Sequence, residues 1–136
     1  MKTLVIFYSY TGHAKARAQE LAVSESADTV EIQDVRRPGK LKAYAVGGFA
    51  SMRGKAWPIQ PLNADLAAYD RLILFSPIWA NNPPPAVNAL LEKLPSGKAV
   101  AVRMVSASGR SGCKERIAAI LKAKGCKMES FADLKN

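Results

Sequence analysis

The sequence has few of the residues that build covalent or metal-bound sites. Its 136 residues include two cysteines and one histidine. Cys113 and Cys126 do not form a CxxC pair, and one histidine leaves no Cys/His cluster with metal-ligand spacing. We therefore expect no metal site. We interpret both cysteines as free structural thiols, with a disulfide or a redox thiol pair as the open alternatives. No catalytic acid, base or nucleophile stands out, so no catalytic residue is predicted.

Long apolar runs are also missing. No stretch approaches the roughly 20 apolar residues that a membrane span requires. Residues 1–8 combine one basic residue with a short apolar run that leads straight into a glycine loop. We interpret this start as a strand and not as a signal peptide, because it lacks a small-residue cleavage site. The expectation is a cytoplasmic protein with no membrane partner, built as one domain over residues 1–136.

Acidic residues are scarce relative to basic ones. The chain has 11 Asp and Glu against 20 Lys and Arg, for a formal net charge of +9. No acid occurs from Val35 to Trp57, while that stretch contains Arg36, Arg37, Lys40, Lys42, Arg53 and Lys55. Such a field favours anionic ligands and acidic protein partners. A plain solvated surface is the simplest interpretation, and a nucleic acid is the less favoured partner.

The hydrophobic pattern alternates between strands and helices. Three apolar runs have the composition of strands covered on both faces: Thr3 to Tyr8, Arg71 to Ser76 and Ala99 to Val105. Thr29 to Ile32 is a short predicted strand, and Met128 to Leu134 is the last predicted strand. Helical patterns separate the strands, and the weakest of them is a short helix around Leu41 to Met52. The alternation predicts an α/β fold, a doubly wound parallel sheet with helices on both faces.

Three loops follow the first, third and fourth predicted strands, at the carboxyl edge where such sheets bind ligands. The first, Ser9 to Lys15, is a glycine loop that enters a helix. It offers unpaired backbone N–H groups, the positive end of the helix dipole and two hydroxyls, which suit a phosphate monoester. It is neither a Gly-Lys-Ser/Thr phosphate loop nor a G-x-G-x-x-G motif. An ordinary helix-capping turn is the alternative.

The other two loops differ in chemistry. The second, Ser76 to Pro83, contains Trp79, whose indole offers a flat face for an aromatic ring system. The alternative is an indole packed on its own helix. The third, Ser106 to Gly112, consists mainly of small residues that let a ligand approach backbone amides, with a plain flexible loop as the alternative. Trp57 lies in the weakly patterned region, where we expect it to pack and not to border a ligand.

The first two loops carry a resemblance to the flavodoxin family. Ser9 to Lys15 resembles the family's phosphate loop, and Ser76 to Pro85 resembles its second flavin loop; the likeness extends over nearly the whole chain. The resemblance implies five parallel strands in the order 2-1-3-4-5, FMN as the cofactor and a role in electron transfer. It also implies a redox partner protein, for which the basic charge of this chain favours an acidic surface.

By the same resemblance, residues of all three loops would contact FMN. Ser9, Thr11 and Gly12 would hold the phosphate, Trp79 would stack on the isoalloxazine ring, and the third loop would meet its pyrimidine edge. The predicted cofactor-binding residues are Ser9, Tyr10, Thr11, Gly12, His13, Ala14, Lys15, Pro77, Ile78, Trp79, Ala80, Asn81, Asn82, Ser106, Ala107, Ser108, Gly109 and Gly112.

The sequence departs from the family pattern at two of these loops. Ala14 stands where the family has a threonine whose hydroxyl also binds phosphate. Lys15 or a protonated His13 would offset the loss of that contact. The third loop has no aromatic residue to cover the second flavin face. An uncovered face favours an FMN-dependent NAD(P)H or quinone reductase as the alternative to an electron carrier. A basic binding module of this fold without FMN is the third hypothesis.

Overall fold

The sheet has five parallel strands. The computed structural model describes residues 2–136. The strands are β1 (Thr3–Phe7), β2 (Asp28–Glu31), β3 (Arg71–Pro77), β4 (Ala99–Ser106) and β5 (Lys127–Lys135), in the order β2-β1-β3-β4-β5. Every neighbouring pair is parallel. The predicted fold class is therefore confirmed. The order changes direction between β1 and β3, and doubly wound sheets bind ligands at such a point.

Five helices connect and cover the strands. They are α1 (His13–Glu25), α2 (Lys40–Lys42), α3 (Gly48–Met52), α4 (Pro85–Glu92) and α5 (Lys114–Ala123), with a 3₁₀ turn at Leu66–Ala68. Along β1, Leu4 and Ile6 join the core that contains α4 and α5, while Val5 and Phe7 join the core that contains α1. This alternation with a period of two buries both faces of the strand. No helix among residues 2–136 is long and apolar enough to cross a membrane.

Helices α2 and α3 belong to one continuous helical segment. A π-helical turn, Ala43–Gly47, joins them without a break, and we term residues 40–52 the composite helix. The pattern predicted a helix here, which is confirmed, but it did not predict the π turn. Such turns are rare and often lie at functional sites. The residues that pack against this turn are therefore relevant to the site.

Proline fixes where α4 begins. The triple proline suggests that all three rings fit the first helical turn, and this is wrong for two of them. Pro85 is the first residue of α4, whereas Pro84 is its N-cap residue with an extended backbone (φ −61°, ψ 159°). A residue that precedes proline is pushed away from the helical region, so the chain enters the helix only at Pro85. The buried Pro83 thus belongs to the second loop.

The end of α5 is closed by a left-handed glycine. The Cys126 amide donates to the Leu121 carbonyl at 2.8 Å, and the Gly125 amide donates to the Lys122 carbonyl at 3.0 Å. Gly125 has φ +74°. These paired bonds satisfy carbonyls that the helix end would otherwise leave free.

Both cysteines are free, and burial raises the pKa of the Cys113 thiol.

Replacing Ser26 with glycine should stabilise the protein. Helix α1 ends in the same pattern as α5, since the Ala27 amide donates to the Ala22 carbonyl at 2.9 Å, but Ser26 occupies the left-handed position at φ +52°. A side chain in that conformation costs about 1 kcal/mol relative to glycine. We expect Ser26→Gly to raise the free energy of unfolding in urea by about 0.5–1 kcal/mol. Gly125→Ala is the reverse change and should lower it, the more so because its Cβ would lie 3.2 Å from Ser96 Cβ. An unchanged or lower stability for Ser26→Gly would contradict this account of the helix end.

Candidate functional site

The three predicted loops meet at one edge of the sheet and enclose a small cavity. This cavity measures about 200 Å³, and residues from all three loops line it, together with Val105 of β4 and Asn136. The first loop contributes Ser9, Tyr10, Thr11, His13 and Ala14, the second Pro77, Ile78 and Trp79, and the third Ser106 and Ala107. The parallel topology brings them together, because it places the carboxyl ends of β1, β3 and β4 next to one another.

A larger cavity adjoins the first. It measures about 810 Å³ and lies between the first two loops and the composite helix. Tyr10, Thr11, Ile78 and Trp79 line both cavities, so the two spaces share a wall. The composite helix contributes Lys40, Ala43, Tyr44, Ala45, Gly48, Phe49 and Met52. Small-molecule sites usually measure about 300–1,000 Å³, a range that the smaller cavity does not reach by itself.

The first loop presents backbone donors to the small cavity. The Gly12 amide donates to the buried Ser9 Oγ at 2.8 Å, and Gly12 itself has φ +99°. The first intrahelical bond of α1 runs from the Ala16 amide to the Gly12 carbonyl. Within residues 2–136 no side chain caps α1, so the first-turn amides of residues 13–15 lack a capping partner. This arrangement suits an anion at the positive end of the helix dipole.

Ala14 lies on the buried side of α1. It is 2% exposed and packs in the core between α1 and the sheet while still lining the small cavity. A larger side chain at this position would have to extend into the cavity or displace core neighbours, and overpacking of a core typically costs about 1–3 kcal/mol. Packing therefore favours a small residue here.

Tyr10 is fixed by the segment that precedes the composite helix. Its hydroxyl donates to the Pro38 carbonyl at 2.7 Å, and its own carbonyl accepts a bond from Arg37 at 2.7 Å. The Arg37 guanidinium also lies 4.5 Å from the centre of the Tyr10 ring. Behind it, the Tyr8 hydroxyl donates to Asp34 Oδ2 at 2.6 Å, and burial, followed by this bond, raises the pKa of Tyr8. Tyr8 therefore stays protonated and acts as a structural donor.

The second loop makes a tight turn whose two central residues are left-handed. Trp79 and Asn82 exchange both backbone bonds, at 2.8 and 3.0 Å, around Ala80 (φ +51°) and Asn81 (φ +64°). This is the geometry of a type I′ turn, in which glycine and asparagine are favoured. Ala80 is the strained member, since a left-handed alanine costs about 1–2 kcal/mol. Neighbouring elements must hold the turn in place.

Two contacts fix this turn from outside. The Gly112 amide of the third loop donates to the Asn81 carbonyl at 3.1 Å. The Arg116 guanidinium of α5 donates to Asn82 Oδ1 at 2.9 Å and also to the carbonyls of Ser51 and Met52, at 3.0 and 2.8 Å. Arg116 thus ties the second loop to the carboxyl end of the composite helix. No sequence pattern predicts this role, because all partners of Arg116 are distant along the chain.

Trp79 packs tightly between aromatic rings and a glycine of the π turn. Its ring centre lies 5.6 Å from that of Tyr10 and 6.2 Å from that of Tyr8, and both contacts are edge-on. A Cβ placed on Gly47 would come within 2.6 Å of Trp79 Cζ3. The π turn therefore brings a backbone without a side chain against the indole. The half-buried ring still lines both cavities.

The third loop is held by its own hydroxyls. The Gly109 amide donates to Ser106 Oγ at 3.0 Å, and the Arg110 amide donates to Ser108 Oγ at 3.2 Å. Gly109 adopts φ +68°, and a Cβ there would lie 2.8 Å from Cγ of Lys135. The loop is thus an ordered turn, and two of its serines bond within it.

The predicted cofactor-binding residues divide into two groups by position. Ser9, Tyr10, Thr11, His13, Ala14, Pro77, Ile78, Trp79, Ala80, Ser106 and Ala107 line one or both cavities. Gly12, Lys15, Asn81, Asn82, Ser108, Gly109 and Gly112 line neither. Several of the second group shape the loops through the bonds described above. The cavity residues that were not predicted are Val105, Asn136 and all those of the composite helix.

The site lies in a positive field. Lys15, Arg37 and Lys40 are exposed beside the cavities. Among residues 2–136, the only ion pairs are those of Arg71 with Glu25 and Glu129, on another part of the surface. No carboxylate in these residues forms an ion pair with the cations beside the cavities, so their charge remains available to an anionic ligand.

Comparisons with known proteins identify the fold. No family model and no curated protein matches the sequence. A flavoprotein from Lactobacillus acidophilus NCFM, solved in complex with FMN, is 22% identical with a TM-score of 0.75, over 98% of this chain and 92% of that one. A putative flavoprotein from Bacteroides eggerthii is 20% identical with a TM-score of 0.81, over 98% and 87% of the two chains. Flavodoxin 2 from Bacillus cereus is 19% identical with a TM-score of 0.62, over 99% and 84%. The chain therefore has a flavodoxin-like fold.

Adding a methyl group to Gly47 should displace Trp79. Gly47 has ordinary helical angles (φ −64°, ψ −43°), so alanine there causes no backbone strain and improves helix propensity by about 1 kcal/mol. The clash with the indole should outweigh that gain. In a Trp57→Phe background, which leaves Trp79 as the only tryptophan, we expect Gly47→Ala to shift the emission maximum and to lower the unfolding free energy.

Gly48→Ala is the matched control. A Cβ at Gly48 would meet only Ala80 Cβ, at 3.9 Å, which is an ordinary contact. This variant should leave the emission unchanged and be as stable as its parent or slightly more so. Equal effects of the two changes would show that the close approach of Gly47 does not position the indole.

Proposed function

We propose that this protein binds FMN at the carboxyl edge of its sheet and transfers electrons through it. The observation that carries the proposal is the junction of two cavities of different character. The smaller cavity is lined by hydroxyls as well as apolar side chains and lies at an uncapped helix N-terminus, and the larger cavity has mainly apolar and aromatic walls. FMN has the same two parts, a phosphate and an aromatic ring system. The flavoprotein of this fold from Lactobacillus acidophilus was solved with FMN, which adds support.

The small cavity fits the phosphate end of the cofactor. Ser9 Oγ accepts the Gly12 amide and keeps its own hydrogen free to donate, and Thr11 offers a second hydroxyl. The first-turn amides of α1 add backbone donors, and His13 and Lys15 bring basic groups nearby. Together these groups would hold a dianionic phosphate through charge-assisted hydrogen bonds.

The aromatic residues of the wall that the two cavities share, Tyr10 and Trp79, fit the ring end of the cofactor. Trp79 and Tyr10 are held in place by the turn at Ala80 and Asn81 and by Arg37. Aromatic side chains with fixed rotamers can stack on a planar ligand without a further loss of side-chain entropy. The apolar residues of the composite helix would limit the access of water to the ring. When bound, FMN supplies one- and two-electron redox chemistry, and the chain supplies binding, orientation and electrostatics.

One observation favours a second candidate, an FMN-dependent reductase with its own substrate. The cavity of about 810 Å³ adjoins the ring end. The third loop contributes only Ser106 and Ala107 to the lining of the two cavities. A second small molecule has room there. Steady oxidation of NAD(P)H by the FMN-loaded protein, with a soluble electron acceptor, would favour this candidate. Reoxidation by a protein partner alone would favour the electron carrier.

FMN should bind with a dissociation constant that is micromolar or tighter, measured by the quenching of flavin fluorescence. Trp79→Ala should weaken binding by at least about tenfold, because stacking and apolar burial of an aromatic contact contribute more than about 1.4 kcal/mol. Trp57→Ala is the control, since Trp57 lines neither cavity. The proposal would be overturned if about 100 μM FMN caused no quenching, because the binding free energy would then be less than roughly 5 kcal/mol. Equal losses in both variants would mean that the stacking residue is misassigned.

The phosphate assignment can be tested with a pair of ligands. Thr11→Ala should reduce FMN affinity by about ten- to a hundredfold, since a hydrogen bond to a charged group contributes about 1.5–3 kcal/mol. Riboflavin, which lacks the phosphate, should bind the variant and the wild type equally. Ser24→Ala removes a hydroxyl at the other end of α1 and should affect neither ligand. A riboflavin loss as large as the FMN loss would place the phosphate elsewhere.

A further inference from the structure

The composite helix carries apolar side chains that face solvent. Leu41 is 82% exposed and Tyr44 is 88% exposed, and Phe49 and Met52 are each 56% exposed. The opposite side of the segment is anchored, because Ala43, Gly47 and Ala50 are buried. Three of these side chains, all except Leu41, also line the larger cavity. Leu41 lines neither cavity, so a ligand at the edge of the sheet would not account for its exposure. Exposed apolar side chains grouped on one element mark an interaction surface.

Basic side chains flank this surface at both ends. Lys40 and Lys42 lie at its start, and Arg53 and Lys55 follow its last turn; all four are exposed. Lys42 Nζ lies 5.5 Å from the Trp57 ring centre, and the Arg53 guanidinium lies 4.6 Å from that of Phe49. No acidic residue occurs between Val35 and Trp57. The surface is therefore apolar along its length and cationic at its ends.

We propose that the composite helix docks the protein on an anionic membrane surface. A helix with a buried side, exposed leucine and aromatic residues and flanking lysines and arginines is typical of segments that lie in the interface of a bilayer. Each basic residue near an anionic leaflet adds attraction, and long basic side chains can reach the headgroups while their stems cover apolar surface. The expectation of no membrane partner rested on the lack of a spanning segment, and a helix that lies on the surface needs none.

Two other occupants fit less well. A second copy of this chain, with its net charge of +9, would bring like charges together. A protein partner would need acidic groups placed opposite the cations at both ends of the segment, Lys40 and Lys42 at one end and Arg53 and Lys55 at the other. A diffuse layer of lipid headgroups accommodates the flanking cations without precise pairing.

Cosedimentation with vesicles tests the proposal on the full chain. Wild type should bind vesicles of phosphatidylcholine with about 30% phosphatidylserine at low salt and should not bind pure phosphatidylcholine. Leu41→Ser should weaken the partition coefficient about tenfold. Val23→Ser is the matched control, because Val23 is also 82% exposed but lies on α1, on the other side of the sheet. It should change binding by less than about twofold.

A second pair of variants separates this surface from the overall charge. Lys42→Glu and Lys122→Glu change the net charge equally, and Lys122 is exposed at the far end of α5. Only Lys42→Glu should reduce binding, by about tenfold at low salt. The proposal is overturned if wild type does not bind the anionic vesicles, if both lysine variants lose equally, or if Leu41→Ser behaves like Val23→Ser. The assay needs no flavin, and FMN affinity should be the same in Leu41→Ser and wild type, so this proposal and the cofactor proposal can fail separately.

Discussion

The parallel pairing of five strands constrains everything else in this molecule. Because every strand runs in the same direction, each must be followed by a crossover, and all loops that leave carboxyl ends lie at one edge. The reversal of strand order between β1 and β3 leaves a crevice there that no crossover helix fills. The glycine loop, the tryptophan loop and the serine loop meet at this crevice. The donors and the aromatic rings are therefore neighbours through topology, although they are far apart in the sequence.

The geometry of the second loop depends on its neighbours. A turn with left-handed Ala80 and Asn81 is not favoured locally, and bonds from Gly112 and Arg116 hold it. The indole of Trp79 then rests against Gly47, where any side chain would collide with it. The π turn of the composite helix and the strained turn of the second loop thus support each other, and Arg116 connects them. A change at any of these positions should alter the wall that the two cavities share.

The sequence predicted the elements whose signal is local. The apolar run at Thr3 to Tyr8 contains β1, and β3 begins at Arg71, where the pattern placed it. The π turn was not predictable, because it packs Gly47 against an indole that is distant along the chain, and no local pattern reports that contact. The cavity residues of the composite helix were missed because they lie in a region where glycine and proline interrupt the pattern.

Amide chemical shifts on addition of FMN test the central claim most directly. In a uniformly ¹⁵N-labelled sample, the account predicts large shifts for the first-turn amides of α1, His13, Ala14 and Lys15, and for the indole N–H of Trp79. The indole N–H of Trp57 and the amides at the far end of α1 should hardly move. Riboflavin should shift the Trp79 signal but not the first-turn amides. Shifts that cluster away from the three loops, or first-turn amides that respond equally to both ligands, would contradict the proposed site.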